Sequence, residues 1–290
     1  MNDTSKGLLI TTVAVLLVVP DSLFVRLIDA SGLTIAFWRL FLPGVAITLG
    51  ILALQGTAPF RAVFATGRIG LIYMAGAGLS GILFTLAVTL TSVANVVFII
   101  ASLPVFAAVF SRIFLSEPLS PRMLLTMAAV MVGLAVIAYG SGETENASVA
   151  GDALAFSVSA LFAAALTAAR RAKHVSMVPA AALGYVFCAI LILPLAAPFS
   201  VPPSQAPLVL AHGSFILGSS VLLAVGPRYI TSAEVGLLVL LESALAPLLV
   251  WIVIGEDPGR FTLAGGTIVI GALFVSNVVA LRRARLRSRP

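Results

Sequence analysis

Three ionisable residues stand inside runs of apolar side chains: Asp21, Arg39 and Glu242. Such groups are costly in a lipid-solvated stretch, and they face a partner or a water-filled path. At 1.5 Å per helical residue, Asp21 lies about 10 Å inside one end of its run and Arg39 about 9 Å inside the same face of the next. Glu242 lies about 15 Å into its own run, near the middle. Asp21 and Arg39 fall on consecutive antiparallel helices, so the geometry permits an ion pair between them. That pair either clamps two helices together or meets the ammonium and carboxylate of a zwitterionic ligand. Glu242 is a candidate proton-coupling or ligand-binding group. Its structural alternative is a carboxyl hydrogen-bonded to backbone freed by Pro247.

The remaining chemistry is sparse. Cys188 is the single cysteine and sits in an apolar run, which excludes a disulfide framework and a cysteine metal site. His174 and His212 read as residues of separate loops. No cluster of histidines and carboxylates and no nucleophile–base pair stands out, so nothing calls for a metal, a cofactor or an enzymatic centre. Small polar residues within the apolar runs, namely Ser80, Asn95, Ser102, Ser157, Ser159, Ser219 and Ser243, are better placed towards a cavity than towards lipid. Pro20, Pro104 and Pro247 each remove a helical hydrogen bond and are expected to act as kinks or hinges. Gly76-Ala77-Gly78, Gly213 with Gly218, and Gly265-Gly266 with Gly271 read as sites of close helix approach.

The elements that hold these groups follow from composition. The chain of 290 residues is 60% hydrophobic and 10% charged, with mean hydropathy +1.15, where a soluble domain carries about 25% charged residues. Many uncharged runs are about 20 residues long, the length a spanning helix needs. Ten spans are expected, at 7–28, 33–54, 67–89, 92–114, 121–140, 152–170, 178–198, 207–227, 232–254 and 261–281. The first continues past Leu8–Val19 through Pro20 to Leu27 without a small-residue cleavage site, so it reads as a retained span. Ser120-Pro121 starts the fifth helix, Asp152 is placed to cap the sixth, and Thr231 with Glu234 forms a capping box for the ninth.

Basic residues orient the chain. With the N-terminus in the cytoplasm, fourteen lysines and arginines fall inside and only Arg26 and Arg260 outside, the bias expected of a membrane protein. The net charge of +6 is thereby assigned to topology and not to nucleic acid. The tail from Arg282 to Arg289 reads as an anchor against anionic lipid.

Two stretches share one pattern. Thr91–Pro118 and Thr231–Pro258 both open on Thr-Ser, run through about twenty apolar residues, and close on a small residue, a glutamate and a nearby proline. A unit that occurs twice is implied. Residues 1–140 form the first five-helix half, 141–150 connect, 151–281 form the second half, and 282–290 form the basic tail. Five spans per half is odd, so the second half enters the membrane inverted, an arrangement of secondary transporters with a site near the midplane.

The chain resembles the drug/metabolite transporter superfamily, in particular its ten-helix EamA-type exporters. The resemblance rests on Phe37-Trp38-Arg39-Leu40-Phe41, on Leu103-Pro104-Val105-Phe106-Ala107-Ala108 leading to Ser116-Glu117-Pro118, and on Leu241-Glu242 leading to Trp251 and Gly255-Glu256. It departs from the family at Ser243, where proline usually follows the glutamate, and at Pro20-Asp21-Ser22, where the family usually has Trp-Gly. The Pro-Asp-Ser variant is similar to the YddG-like aromatic amino-acid exporters.

The resemblance implies an all-helical protein of ten spans in two inverted repeats, with both termini cytoplasmic in a bacterial inner membrane. Helices 1, 3, 4, 6, 8 and 9 would line a cavity, with 5 and 10 peripheral. Lining residues would then include Asp21, Phe24, Arg39, Gly78, Ser80, Asn95, Phe98, Ser102, Phe156, Ser159, Ser219, Glu242 and Ser243. Neutral polar groups and aromatic faces suit an amphipathic metabolite. Aromatic or other neutral amino acids are the first expectation for an exported substrate, and lipophilic cations exchanged for protons are the alternative. Ten spans suffice to enclose a cavity in a monomer. Lipid and a small molecule are the expected partners.

Overall fold

The computed structural model describes residues 3–140, 148–225, 229–230 and 232–287. Thr231, and with it the expected capping box, lies outside them. Every regular element among the described residues is helical. The first membrane-length unit is α1 (Asp3–Val18) followed by α2 (Asp21–Leu27), and α3 (Gly32–Gln55) returns across it. A short helix that the apolar pattern does not announce, α4 (Ala58–Ala65), precedes α5 (Arg68–Leu90). Next come α6 (Val93–Ile100), α7 (Leu103–Phe114) and α8 (Pro121–Gly140). The second half holds α9 (Val149–Arg171), α10 (Val178–Ile192), α11 (Ala206–Val225), α12 (Ser232–Ile254) and α13 (Arg260–Arg287). Among the described residues eight helical units are long and apolar enough to cross a bilayer, and two shorter apolar helices, Val178–Ile192 and Leu238–Ile254, accompany them.

Proline explains where the long runs break. Pro20 has no N–H for the preceding turn; α1 stops at Val18, and Pro20 itself stands before α2 with φ −79°. Pro104 does the same to the fourth run, which divides into α6 and α7 around Ala101 and Ser102. Pro247 behaves otherwise: α12 runs unbroken through it, leaving the Ser243 carbonyl without a helical donor. The seventh run ends early, at Ile192 and not near 198: Leu193 keeps helical dihedrals, but Pro194 has no N–H to give to the Ile190 carbonyl. A single-turn helix, Pro198–Ser200, follows.

Hydroxyls start the helices. Ser31 accepts from the Thr34 N–H, Ser92 from Asn95 and Ser120 from Met123, each satisfying a donor that the first turn leaves free. The sixth span is capped by Ser148, whose Oγ accepts from the Gly151 N–H. Asp152 does not have that role, since it stands inside the first turn and its carboxylate points sideways to Thr91 and Asn95.

Helix packing joins the two halves. α5 lies along α9, and α1 lies along α11; α3 packs on α10, α6 on α12, and α8 on α13. Exchanging α1–α2 with α9, α3 with α10, α5 with α11, α6–α7 with α12 and α8 with α13 turns this set of neighbours into itself. Gly133 of α8 and Gly265 of α13 face each other so closely that a Cβ on Gly265 would stand 2.5 Å from the Gly133 carbonyl oxygen. Gly265→Ala is therefore expected to cost about 1–3 kcal/mol by overpacking, read as earlier unfolding in a detergent-solubilised thermal melt. Gly271, with open space around it, is the matched control.

Candidate functional site

The broken first helix sets the site. Asp21 is the first residue of α2 and is buried there. Its carboxylate takes two parallel bonds from the Arg39 guanidinium of α3: Nε to Oδ1 at 2.9 Å and Nη2 to Oδ2 at 2.6 Å. This fork-to-fork geometry is the strong form of an ion pair, and it lies in a setting where the side chains are only 5% and 13% exposed. The expected pair exists.

A third group completes the cluster. His212 lies inside α11, not in a loop, and its Nε2 stands 2.7 Å from Asp21 Oδ1. An ionised carboxylate only accepts, so the imidazole donates from Nε2. The Phe24 ring stacks on the imidazole at 5.4 Å and meets Phe215 at the same distance. The Arg39 guanidinium rests over the Phe84 ring at 4.7 Å, a cation–π contact. One histidine within a twenty-residue apolar run was the available signal for this role, by the same reasoning that singles out Asp21.

Glu242 of α12 is within electrostatic range of both Asp21 and Arg39. It is half-buried. Among the described residues no group hydrogen-bonds its carboxyl, and nothing accepts from Arg39 Nη1. The Nη1 atom stands beside Gly81, where a Cβ would lie 3.2 Å away. The cluster thus presents one unpaired carboxyl and the free Nη1 amino group of a guanidinium next to aromatic faces.

The other sequence-derived candidates are distributed. Ser80, Ser102 and Ser159 are buried and return their hydroxyls to backbone carbonyls, Ser80 to Ala77, Ser102 to Ile99, and Ser159 to Ile99 and Ala155. Ser219 and Ser243 are buried on α11 and α12. Phe156 packs edge-on against Phe106. Phe98 covers Gly266 of α13, and Gly78 abuts Cys188 and the Gly184 carbonyl of α10, so both serve helix contact.

Asn95 belongs to a second polar cluster. Its Nδ2 donates to both Asp152 oxygens at 3.0 and 3.1 Å, Thr91 Oγ1 donates to Asp152 at 2.8 Å, and Thr262 Oγ1 donates to Asn95 Oδ1 at 2.5 Å. Two pockets lie apart from these clusters. A groove of about 730 Å³ runs between α8 and α13, and a smaller hollow of about 170 Å³ is lined by α4, Arg171 and His174.

A solved crystal structure is similar over 96% of this chain and 98% of its own, at 20% identity and a TM-score of 0.66, a likeness of fold. No curated protein matches the chain. The description of an EamA-like transporter family fits twice, to residues 5–139 and again to residues 149–278. With nearly the whole length matched in two copies, the chain belongs to the EamA-like transporter family.

Proposed function

We propose that this transporter moves small zwitterionic metabolites, with aromatic and other neutral amino acids as its substrates, by alternating access around the Asp21–Arg39–His212–Glu242 cluster. The observation that carries the reading is the juxtaposition of Glu242 with Arg39, where neither the Glu242 carboxyl nor Arg39 Nη1 has a hydrogen-bond partner among the described residues. An α-amino acid carries an ammonium and a carboxylate one carbon apart. Glu242 would take the ammonium, Nη1 would take the carboxylate, and Phe24, Phe84 and Phe215 would offer faces to an aromatic side chain. Asp21 and His212 act as positioning residues: they hold the guanidinium with its remaining edge turned away from the pair.

The same reading takes ten spans as two inverted repeats, a monomer, and both termini on the cytoplasmic side of a bacterial inner membrane. The clustering of lysine and arginine on one side of the spans supports this orientation. Pro20 and Pro104, at breaks in their helices, are the hinge positions it favours, and Pro247 softens α12 beside Glu242.

One observation favours a second substrate class. A half-buried carboxyl without a hydrogen-bond partner among the described residues also suits a lipophilic cation exchanged for protons. Counterflow of labelled phenylalanine in proteoliposomes separates the two. Saturable uptake, competed by other neutral amino acids, is the expected result. Absent uptake alongside transport of a lipophilic cation would overturn the amino-acid reading.

A further inference from the structure

Two ion pairs at opposite ends of the bundle have the same composition and corresponding places in the two repeats. Arg26 at the end of α2 meets Glu256 beyond α12, Nε to Oε2 at 2.9 Å. Arg170 at the end of α9 meets Glu117 beyond α7, Nη2 to Oε1 at 2.8 Å. Arg26 follows residue 5, where the first matched segment starts, by 21 residues, and Arg170 follows residue 149, where the second starts, by the same 21. Glu117 and Glu256 are the glutamates that close the two similar stretches. One pair is therefore the counterpart of the other, carried to the opposite membrane face by the inversion.

Their surroundings differ. The Arg26 and Glu256 side chains are 19% and 6% exposed, while those of Arg170 and Glu117 are 58% and 42% exposed. The buried pair is also tied into backbone. Glu256 Oε1 accepts from the Val93 N–H at the start of α6, at 2.6 Å, and Arg26 Nη2 donates to the Thr91 carbonyl at 2.9 Å. It thus fastens the ends of the first and ninth spans to the start of the fourth. The exposed pair has looser support, a 3.3 Å contact from Arg170 Nη1 to Ser111 Oγ and one of 3.2 Å from Arg171 to the Phe114 carbonyl. Water competes for both charges of an exposed pair and holds it weakly, whereas a sheltered pair is held by a stronger field.

We propose that Arg26–Glu256 and Arg170–Glu117 are the outer and inner latches of the transport cycle, tightened in alternation. In the structure the outer latch is shut and the inner one is poised to part. In the opposite state Arg170–Glu117 becomes the sheltered pair, with Glu117 over the N-terminal end of α12 as Glu256 now stands over that of α6, and Arg26–Glu256 becomes wet. All four are positioning residues, since none reaches the Asp21 cluster. The proposal rests on the alternating-access reading and not on any particular substrate.

The test uses the full chain in nanodiscs, in a Cys188→Ala background, with one spin-label pair at each face. Asp29→Cys with Asp257→Cys reports the outer ends, and Arg112→Cys with Lys173→Cys the inner ends. Arg26→Gln and Glu256→Gln are each expected to shift the outer distances longer and the inner ones shorter. Glu117→Gln is expected to do the reverse. The exchanged double variant Arg26→Glu with Glu256→Arg is expected to restore the outer distribution, which a loss of folding could not do. Outer distances unmoved in both outer variants, or shifts of the same sign at both faces, would overturn the latches. No substrate is needed for this readout, so a protein that moves no amino acid still tests it.

Discussion

Arg39→Met is expected to destabilise the protein by about 3–5 kcal/mol, the cost of leaving one member of a buried ion pair without its partner. The reason lies in how completely Asp21 depends on Arg39. Three contacts of 3.3 Å or less join the two side chains, and among the described residues only one, from His212, comes from elsewhere. With methionine at 39 the carboxylate keeps one donor in a site that water scarcely reaches. Asp21→Asn strands the guanidinium in the same way. The double variant Asp21→Asn with Arg39→Met removes both charges and is expected to recover part of the loss, because two neutral groups no longer need each other. Unfolding in a mixed-micelle denaturant titration reads all three. A double variant as unstable as the sum of the singles would show that the two side chains act independently, against the geometry. Transport is expected to be lost in Arg39→Met even where the chain folds, since the anion-binding edge goes with the guanidinium.

Glu242→Gln carries the second large effect. If the carboxyl receives a substrate ammonium, the charge-assisted bond it supplies is of the order of 1.5–3 kcal/mol. At about 1.4 kcal/mol per tenfold, phenylalanine counterflow should need roughly ten- to a hundredfold more substrate to reach half-saturation. Folding should be unaffected, because no hydrogen bond within the described residues depends on that carboxyl. Running the same assay with and without a proton gradient separates two roles. Uptake that follows the gradient in the unaltered protein and vanishes in Glu242→Gln assigns proton coupling to this carboxyl. Uptake indifferent to the gradient and unchanged in the variant takes Glu242 out of both proton coupling and substrate binding.

The spans were legible from the sequence because lipid leaves little choice. An apolar run must be helical to satisfy its own backbone, and α8 and α12 accordingly begin and end where the runs at 121–140 and 232–254 do. What eluded that reading depends on contacts distant in sequence. Asp152 looked like a cap because it stands at a helix start, but Thr91 and Asn95, some sixty residues earlier, claim its carboxylate. His212 falls within the run expected at 207–227 yet reads as a loop residue, because that run holds no partner for a histidine; its partner is Asp21, on another helix. Arg39 with Asp21 was within reach of reasoning because consecutive spans are obliged to be neighbours. The short α4 has too few residues to cross a bilayer, so the search for spanning lengths passes over it.

The spacing of the cluster along the chain bears on how the protein is made. Asp21 and Arg39 are 18 residues apart, whereas Asp21 and His212 are 191 apart. During synthesis α1 to α3 emerge long before α11. A lone aspartate or arginine at that depth resists release into the bilayer. A helical hairpin in which each neutralises the other can leave the insertion machinery as one unit with no net charge to bury. His212 then arrives at a carboxylate that is already in place, and the last bond of the cluster records that the second half has docked.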